Sequence, residues 1–146
     1  MRNDLLLGAL TESIIASFYE VYNEMGYGFR EKLHRGALEL ELRERGHAVA
    51  REVEVPVWYK RHNLGVQRVD IVVDQLVVVE VKSSAVLPAS AKDQLTNYLR
   101  ATTLEVGLLL HFGEKPAFFR KVVRRDRLPT GLRPACGSSL IKSDNT

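Results

Sequence analysis

Leu6, Leu7, Leu10, Ile14, Ile15, Phe18, Val21 and Tyr22 recur at intervals of three and four residues. They form one apolar stripe, which predicts an amphipathic helix over the first quarter of the chain. Gly26 and Gly28 break it around Tyr27. A second helix is predicted over residues 29–45, with Leu33, Ala37, Leu40 and Leu42 apolar and Glu39, Glu41, Arg43 and Glu44 mostly solvated. Gly46 is its expected stop, because a residue without a Cβ turns left-handed at little cost. The period then changes. Residues 52–60 alternate in their first half and are rich in strand formers. Pro56 has no N–H for a ladder bond, so this is expected to be an edge strand or a bulged one. Residues 61–65 read as a loop. Residues 66–73 and 76–82 read as two strands of a hairpin. Ser90 is expected to cap a helix running to Arg100, with Leu95 and Leu99 on one side. Residues 104–112 are short and strongly apolar, which suits a central strand buried on both faces. Residues 117–123 supply the last strand.

The order α-α-β-β-β-α-β-β predicts an α/β (α+β) domain, with a central mixed sheet of about four or five strands flanked by helices. The stretch between Lys82 and Leu104 is long enough to return parallel through its helix. A chain of 146 residues suits one domain. The domain is expected over residues 1–124, followed by a flexible basic tail over 125–146, where Pro, Gly and Ser accumulate and periodicity ends.

Composition narrows the class. With 45% hydrophobic and 27% charged residues, the chain is not predominantly disordered. No apolar run approaches the ~20 residues needed to cross a bilayer, and the N-terminus does not read as a secretory signal. The single cysteine, Cys136, forms no internal disulfide, and no Cys/His cluster suggests zinc. A reducing, cytoplasmic setting without membrane attachment is expected. Charge is uneven: residues 1–119 hold 14 Lys/Arg against 16 Asp/Glu, whereas residues 120–146 hold 7 against 2.

Candidate chemistry lies in residues 70–82, DIVVDQLVVVEVK. On a strand, Glu80 and Lys82 share one face, and Val79 and Val81 take the other. Two ionisable groups are thus set into a valine-rich strand that should be interior, where an unpaired charge costs several kcal/mol. Asp70 on the adjacent strand and Glu31 on the second helix are candidate partners. Carboxylates and a lysine converging in a dry pocket suit a hard divalent cation. Mg²⁺ takes oxygen ligands at ~2.0–2.1 Å, typically with one or two carboxylates. Such an ion polarises phosphoryl oxygens, and a neighbouring lysine can orient or deprotonate an attacking water. The competing reading is a half-exposed strand pair with an incidental Glu–Lys ion pair.

Register decides between these readings. A two-residue turn at Asp74-Gln75 would set Asp70 opposite Val79, facing away from Glu80. A shared site needs Val73 to pair with Val77, leaving Asp74, Gln75 and Leu76 as the connection. On the next helix, Gln94 and Tyr98 are four residues apart and share a face. Gln94 is a candidate to hold a phosphate or the water, with Tyr98 supporting it. Taken alone, Glu31 reads as a first-turn carboxylate favoured by the helix dipole. Arg68, two residues before Asp70, is expected on the same strand face and is a candidate phosphate ligand.

These residues resemble the PD-(D/E)XK nuclease superfamily, and within it the small GxxExxY-type branch, over roughly residues 8–123. Asp70 matches the first motif's Asp, with Val69 where that motif often has Pro. Glu80-Val81-Lys82 matches E-x-K, and Gln94 through Tyr98 matches Q-x-x-x-Y. Gly28 through His34 matches the naming motif, except that His34 stands where the family has Tyr. The resemblance implies a restriction-endonuclease-like core. It also implies a metal bound by Asp70, Glu80 and the Val81 carbonyl, with Lys82 on the nucleophilic water. Glu31 would be a further acidic ligand or water-orienting group. The activity implied is Mg²⁺-dependent hydrolysis of nucleic acid, DNA foremost, with Mn²⁺ able to substitute. Arg68, Tyr98, Arg120, Lys121, Arg124 and Arg125 are candidate nucleic-acid contacts, the basic ones because Lys and Arg neutralise phosphates. The alternative is a non-cleaving module binding nucleic acid or protein on the same fold. A chain this small would depend on a protein partner or a homodimer for recognition.

Overall fold

A computed structural model describes residues 7–124 of the chain. The opening stripe forms α1 (Gly8–Met25), which buries Ile14, Phe18 and Val21. The second pattern forms α2 (Glu31–Glu44). Gly46 ends it at φ 90°. Its N–H donates to the Arg43 carbonyl and that of His47 to the Leu42 carbonyl, the paired bonds of a Schellman turn.

Strands β1 (Val49–Tyr59) and β2 (His62–Val73) form a long antiparallel ribbon. The expected loop over 61–65 is corrected. Only Lys60 and Arg61 turn, both at positive φ (45° and 69°), and Tyr59 pairs directly with His62. Two left-handed residues match the twist of the flanking strands, so pairing resumes at once. Pro56 lies on the edge strand as expected, with a register shift just beyond it, between Val57 and Trp58.

Strand β3 (Val77–Lys82) follows the three-residue connection Asp74, Gln75, Leu76, so Leu76 falls outside the strand. Asp74 and Gln75 are left-handed (φ 51° and 58°), and the Leu76 N–H closes the turn on the Val73 carbonyl. Val73 pairs with Val77, the register a shared acidic site requires. Helix α3 (Ala91–Ala101) carries the chain over to β4 (Val106–Phe112), which pairs parallel with β3. Ser90 precedes α3 without a side-chain capping bond. Its backbone is already helical (φ −79°, ψ −9°), whereas a capping side chain needs extended backbone to reach the next turn's N–H groups. Strand β5 (Pro116–Val122) closes the sheet antiparallel to β4.

The five strands lie in the order β1-β2-β3-β4-β5. Strand alternation splits their side chains between two cores. Ile71, Val79, Val81, Leu108 and Leu110 pack with α1 and α2 through Ile14, Phe18, Leu38 and Leu42. Val72, Val78 and Leu109 pack under α3 through Ala91, Leu95 and Leu99. Gly107 lets α3 approach closely: a Cβ there would meet Leu95 Cδ1 at 2.7 Å. This is the mixed sheet flanked by helices that the element order predicts. No helix among the described residues is long and apolar enough to cross a membrane.

Candidate active site

The β2–β3 ladder runs only from Val73–Val77 to Ile71–Val79. Beyond that, side chains take over the bonding. The Asp70 N–H donates to Glu80 Oε1 at 3.2 Å, and the Val81 N–H donates to Asp70 Oδ2 at 3.0 Å. The ribbon is kinked at this level. Val69 and Val72 pack in the same core although strict alternation would oppose them, and on β1 Glu52 has a φ of 50°. The two acids therefore meet where β2 parts from β3, at a break in backbone pairing that their own carboxylates bridge.

Glu80 is 4% exposed. Burial, and then the neighbouring Asp70 charge, push its carboxyl up to about 8; the Asp70 N–H and the Lys82 ammonium oppose the shift. Lys82 thus acts on Glu80 through space rather than as a contact ion pair. Asp70 is balanced by a residue the sequence did not flag: Arg35 Nη1 lies 3.3 Å from Asp70 Oδ1, with both side chains about one-fifth exposed. Tyr98 faces the same acids. Its hydroxyl is pushed up by burial and then by the charges of Glu80 and Asp70.

Other candidates fall differently. Glu31 opens α2 and is half-buried. It bonds neither Asp70 nor Glu80, and no three-carboxylate cluster forms among the described residues. Gln94 lies one turn before Tyr98 on α3, exposed to solvent. Arg68 pairs with its ladder neighbour Glu54 at 3.5 Å. Register places Lys121 across from Gly107, on the α3 face, and Arg120 across from Leu108, on the α1–α2 face. Arg124 follows β5 and is exposed. Arg125, Cys136 and the tail lie outside the described residues.

His34 has a structural task. It is fully buried and stacks on Phe112 with ring centroids 4.1 Å apart. A carbonyl only accepts, so Nε2 carries the proton and donates to the Gly26 oxygen at 2.9 Å. Nδ1 then accepts from the Ser83 hydroxyl at 2.6 Å. The ring joins the α1–α2 turn, α2, and the residue directly after Lys82. Burial pushes its pKa down, so it stays neutral.

The donor set fits a hard divalent ion. Two carboxylates meet at the strand junction, and one is held protonated by burial and by the other's charge. A further positive charge beside the pair would favour the charged form of Glu80, as Lys82 already does.

A sequence model of the PD-(D/E)XK nuclease superfamily matches residues 8–125. The chain belongs to that superfamily. Its mixed five-stranded sheet with three helices is consistent with the superfamily's restriction-endonuclease-like fold. PD-(D/E)XK nucleases generally depend on a divalent metal, and the family suggests a nucleic-acid substrate. The solved structure described as "Crystal structure of SSO0001" is similar to this PD-(D/E)XK chain with a TM-score of 0.51 and 19% identity. The alignment covers 83% of this chain and 61% of that one, a likeness of fold. No curated protein matches the chain.

Proposed function

We propose that this chain is a Mg²⁺-dependent nuclease of the GxxExxY type that hydrolyses phosphodiester bonds of DNA. The observation that supports it most is the meeting of Asp70 and Glu80 at the end of the β2–β3 ladder, tied by two side-chain-to-backbone bonds. Asp70, Glu80 and the Val81 carbonyl would hold the ion. When bound, Mg²⁺ supplies Lewis-acid stabilisation of phosphoryl oxygens and lowers the pKa of water.

The chain's own residues do the rest. Lys82 shares the Glu80 strand face, where its ammonium orients the attacking water and its charge favours the Glu80 carboxylate. Arg35 holds Asp70 from the α2 side and fixes its rotamer. Tyr98 supplies a neutral hydroxyl, and Gln94, one turn away, reaches toward the phosphate from solvent. Glu31 orients water from the start of α2. Lys121 and the basic tail neutralise flanking phosphates.

The test is cleavage of single- and double-stranded DNA and RNA with Mg²⁺ or Mn²⁺, using Asp70→Ala, Glu80→Ala and Lys82→Ala as controls. Metal-dependent cutting of DNA, lost in all three variants, supports the reading. Cutting of RNA alone would correct the substrate. Binding without cutting under every condition would favour the non-cleaving module.

A further inference from the structure

Away from the acidic pair, three side chains from three parts of the chain form a line. Ser13 Oγ on α1 lies 2.7 Å from His47 Nε2, and His47 Nδ1 lies 2.7 Å from Asp74 Oδ2. Asp74 sits in the β2–β3 turn, four residues from Asp70 and so roughly 13 Å away along the strand. Nothing in the nuclease reading uses these groups.

The chemistry of the line has a direction. A carboxylate only accepts, so His47 Nδ1 carries the ring proton and donates to Asp74. When the ring is neutral, Nε2 is an acceptor and the Ser13 hydroxyl donates to it. This is the arrangement in which a histidine takes a serine's proton while an acid holds the tautomer and stabilises the imidazolium that forms.

The surrounding backbone fixes each member. His47 follows the Schellman turn that ends α2. Asp74 is clamped by a second bond, from the Ala48 N–H to its Oδ1 at 2.8 Å, and its own N–H donates to the Ala48 carbonyl. Ser13 is held in the middle of α1. The group also remains within reach of solvent. Ser13 is partly exposed, and the side chains of His47 and Asp74 are 15% and 32% exposed. The line is therefore rigid enough to be preorganised and open enough to meet a small electrophile.

We propose that Ser13 is an activated nucleophile, driven by His47 and oriented by Asp74, that reacts with small activated acyl and phosphonyl compounds. With a fluorophosphonate, the Ser13 Oγ–P bond forms, the P–F bond breaks and fluoride leaves. The hydroxyl proton passes to His47 Nε2. With an activated ester, the Oγ–C bond forms, the ester C–O bond breaks, and the leaving alcohol takes the proton back from His47. Water then releases the acid. The N–H groups next to Ser13 lie inside α1 and bond within the helix, so they form no oxyanion hole of the kind that accelerates proteases. Slow turnover of activated esters is expected, not cleavage of peptides.

The test is labelling of the full chain by a fluorophosphonate probe, with the modified residue mapped by mass spectrometry. The expected result is a single adduct on Ser13, absent in Ser13→Ala and reduced by about tenfold or more in His47→Gln and Asp74→Asn. Asn can reverse the ring's tautomer while nearly conserving shape, so Asp74→Asn separates activation from packing. Asp70→Ala should label like wild type. No adduct on folded wild type, an adduct on another residue, or equal labelling of Asp74→Asn would overturn the proposal. Ser13→Ala should still cut DNA, so failure here leaves the nuclease reading separately testable.

Discussion

The backbone N–H of Asp70 donates to Glu80 Oε1 at 3.2 Å, while the Asp70 carboxylate accepts from the Val81 N–H and faces Arg35. One acid is thus tied to the other through its main chain, while its own carboxylate takes the Val81 N–H and the Arg35 guanidinium. This cross-link replaces ladder pairing beyond Ile71–Val79 and places both acids at the strand junction.

The protonation of Glu80 gives the first prediction. In the metal-free fold this carboxyl keeps its proton up to about pH 8, against an ordinary value of 4.5. The folded state therefore binds more protons between those values. The stability contributed by this group is complete below about pH 4.5 and is lost as pH rises through 8. Thermal melts of metal-free wild type from pH 5 to 8.5 should show a decline that Glu80→Gln removes. Parallel curves for the two proteins would contradict the burial argument.

Arg35 gives the second. Its ion pair with Asp70 is partly screened, so Arg35→Ala should cost about 1 kcal/mol, or about 3–5 °C in Tm, in metal-free protein. Saturating Mg²⁺ should narrow that deficit, because the ion takes over the neutralisation of Asp70. Melts with and without Mg²⁺ measure both effects. An equal deficit in each condition would mean that Arg35 and the ion do not act on the same carboxylate.

His34 packs on Phe112 and bonds to both Gly26 and Ser83. His34→Ala opens a cavity and strands a buried carbonyl, so a loss of about 3 kcal/mol is expected from urea denaturation. A loss below about 0.5 kcal/mol would show that the ring does not hold these elements together.

The face assignments of β5 give a fourth prediction. Lys121 lies on the α3 face with Glu80 and Lys82, whereas Arg120 lies on the other. Lys121→Ala should reduce the slope of log affinity for DNA against log salt by about 1, and Arg120→Ala should leave it unchanged. Fluorescence anisotropy across a salt series measures both. The reverse ranking would place the nucleic acid on the α1–α2 face.

Much of this architecture was legible because it repeats at short range. The helical stripes and the buried β4 strand follow from periodicity; the Val73–Val77 register was one of two the sequence left open, and the structure chooses it. The Lys60–Arg61 turn was missed because neither residue is a usual left-handed former, and His62, Asn63 and Gly65 resemble loop rather than strand. Arg35 and the Ser13–His47–Asp74 line were invisible for another reason: their partners lie 27 to 35 residues away along the chain. Only the three-dimensional fold brings them together, so no local spacing announces them.

The central claim is that Asp70 and Glu80 together hold a divalent cation, and calorimetric titration of Mg²⁺ or Mn²⁺ into the protein at pH 7 tests it most directly. One binding event should appear in wild type and persist in Gln94→Ala. It should be lost in both Asp70→Asn and Glu80→Gln, and proton release should accompany it because Glu80 starts out protonated. Undiminished binding in either acid variant, or no binding in wild type, would contradict the account.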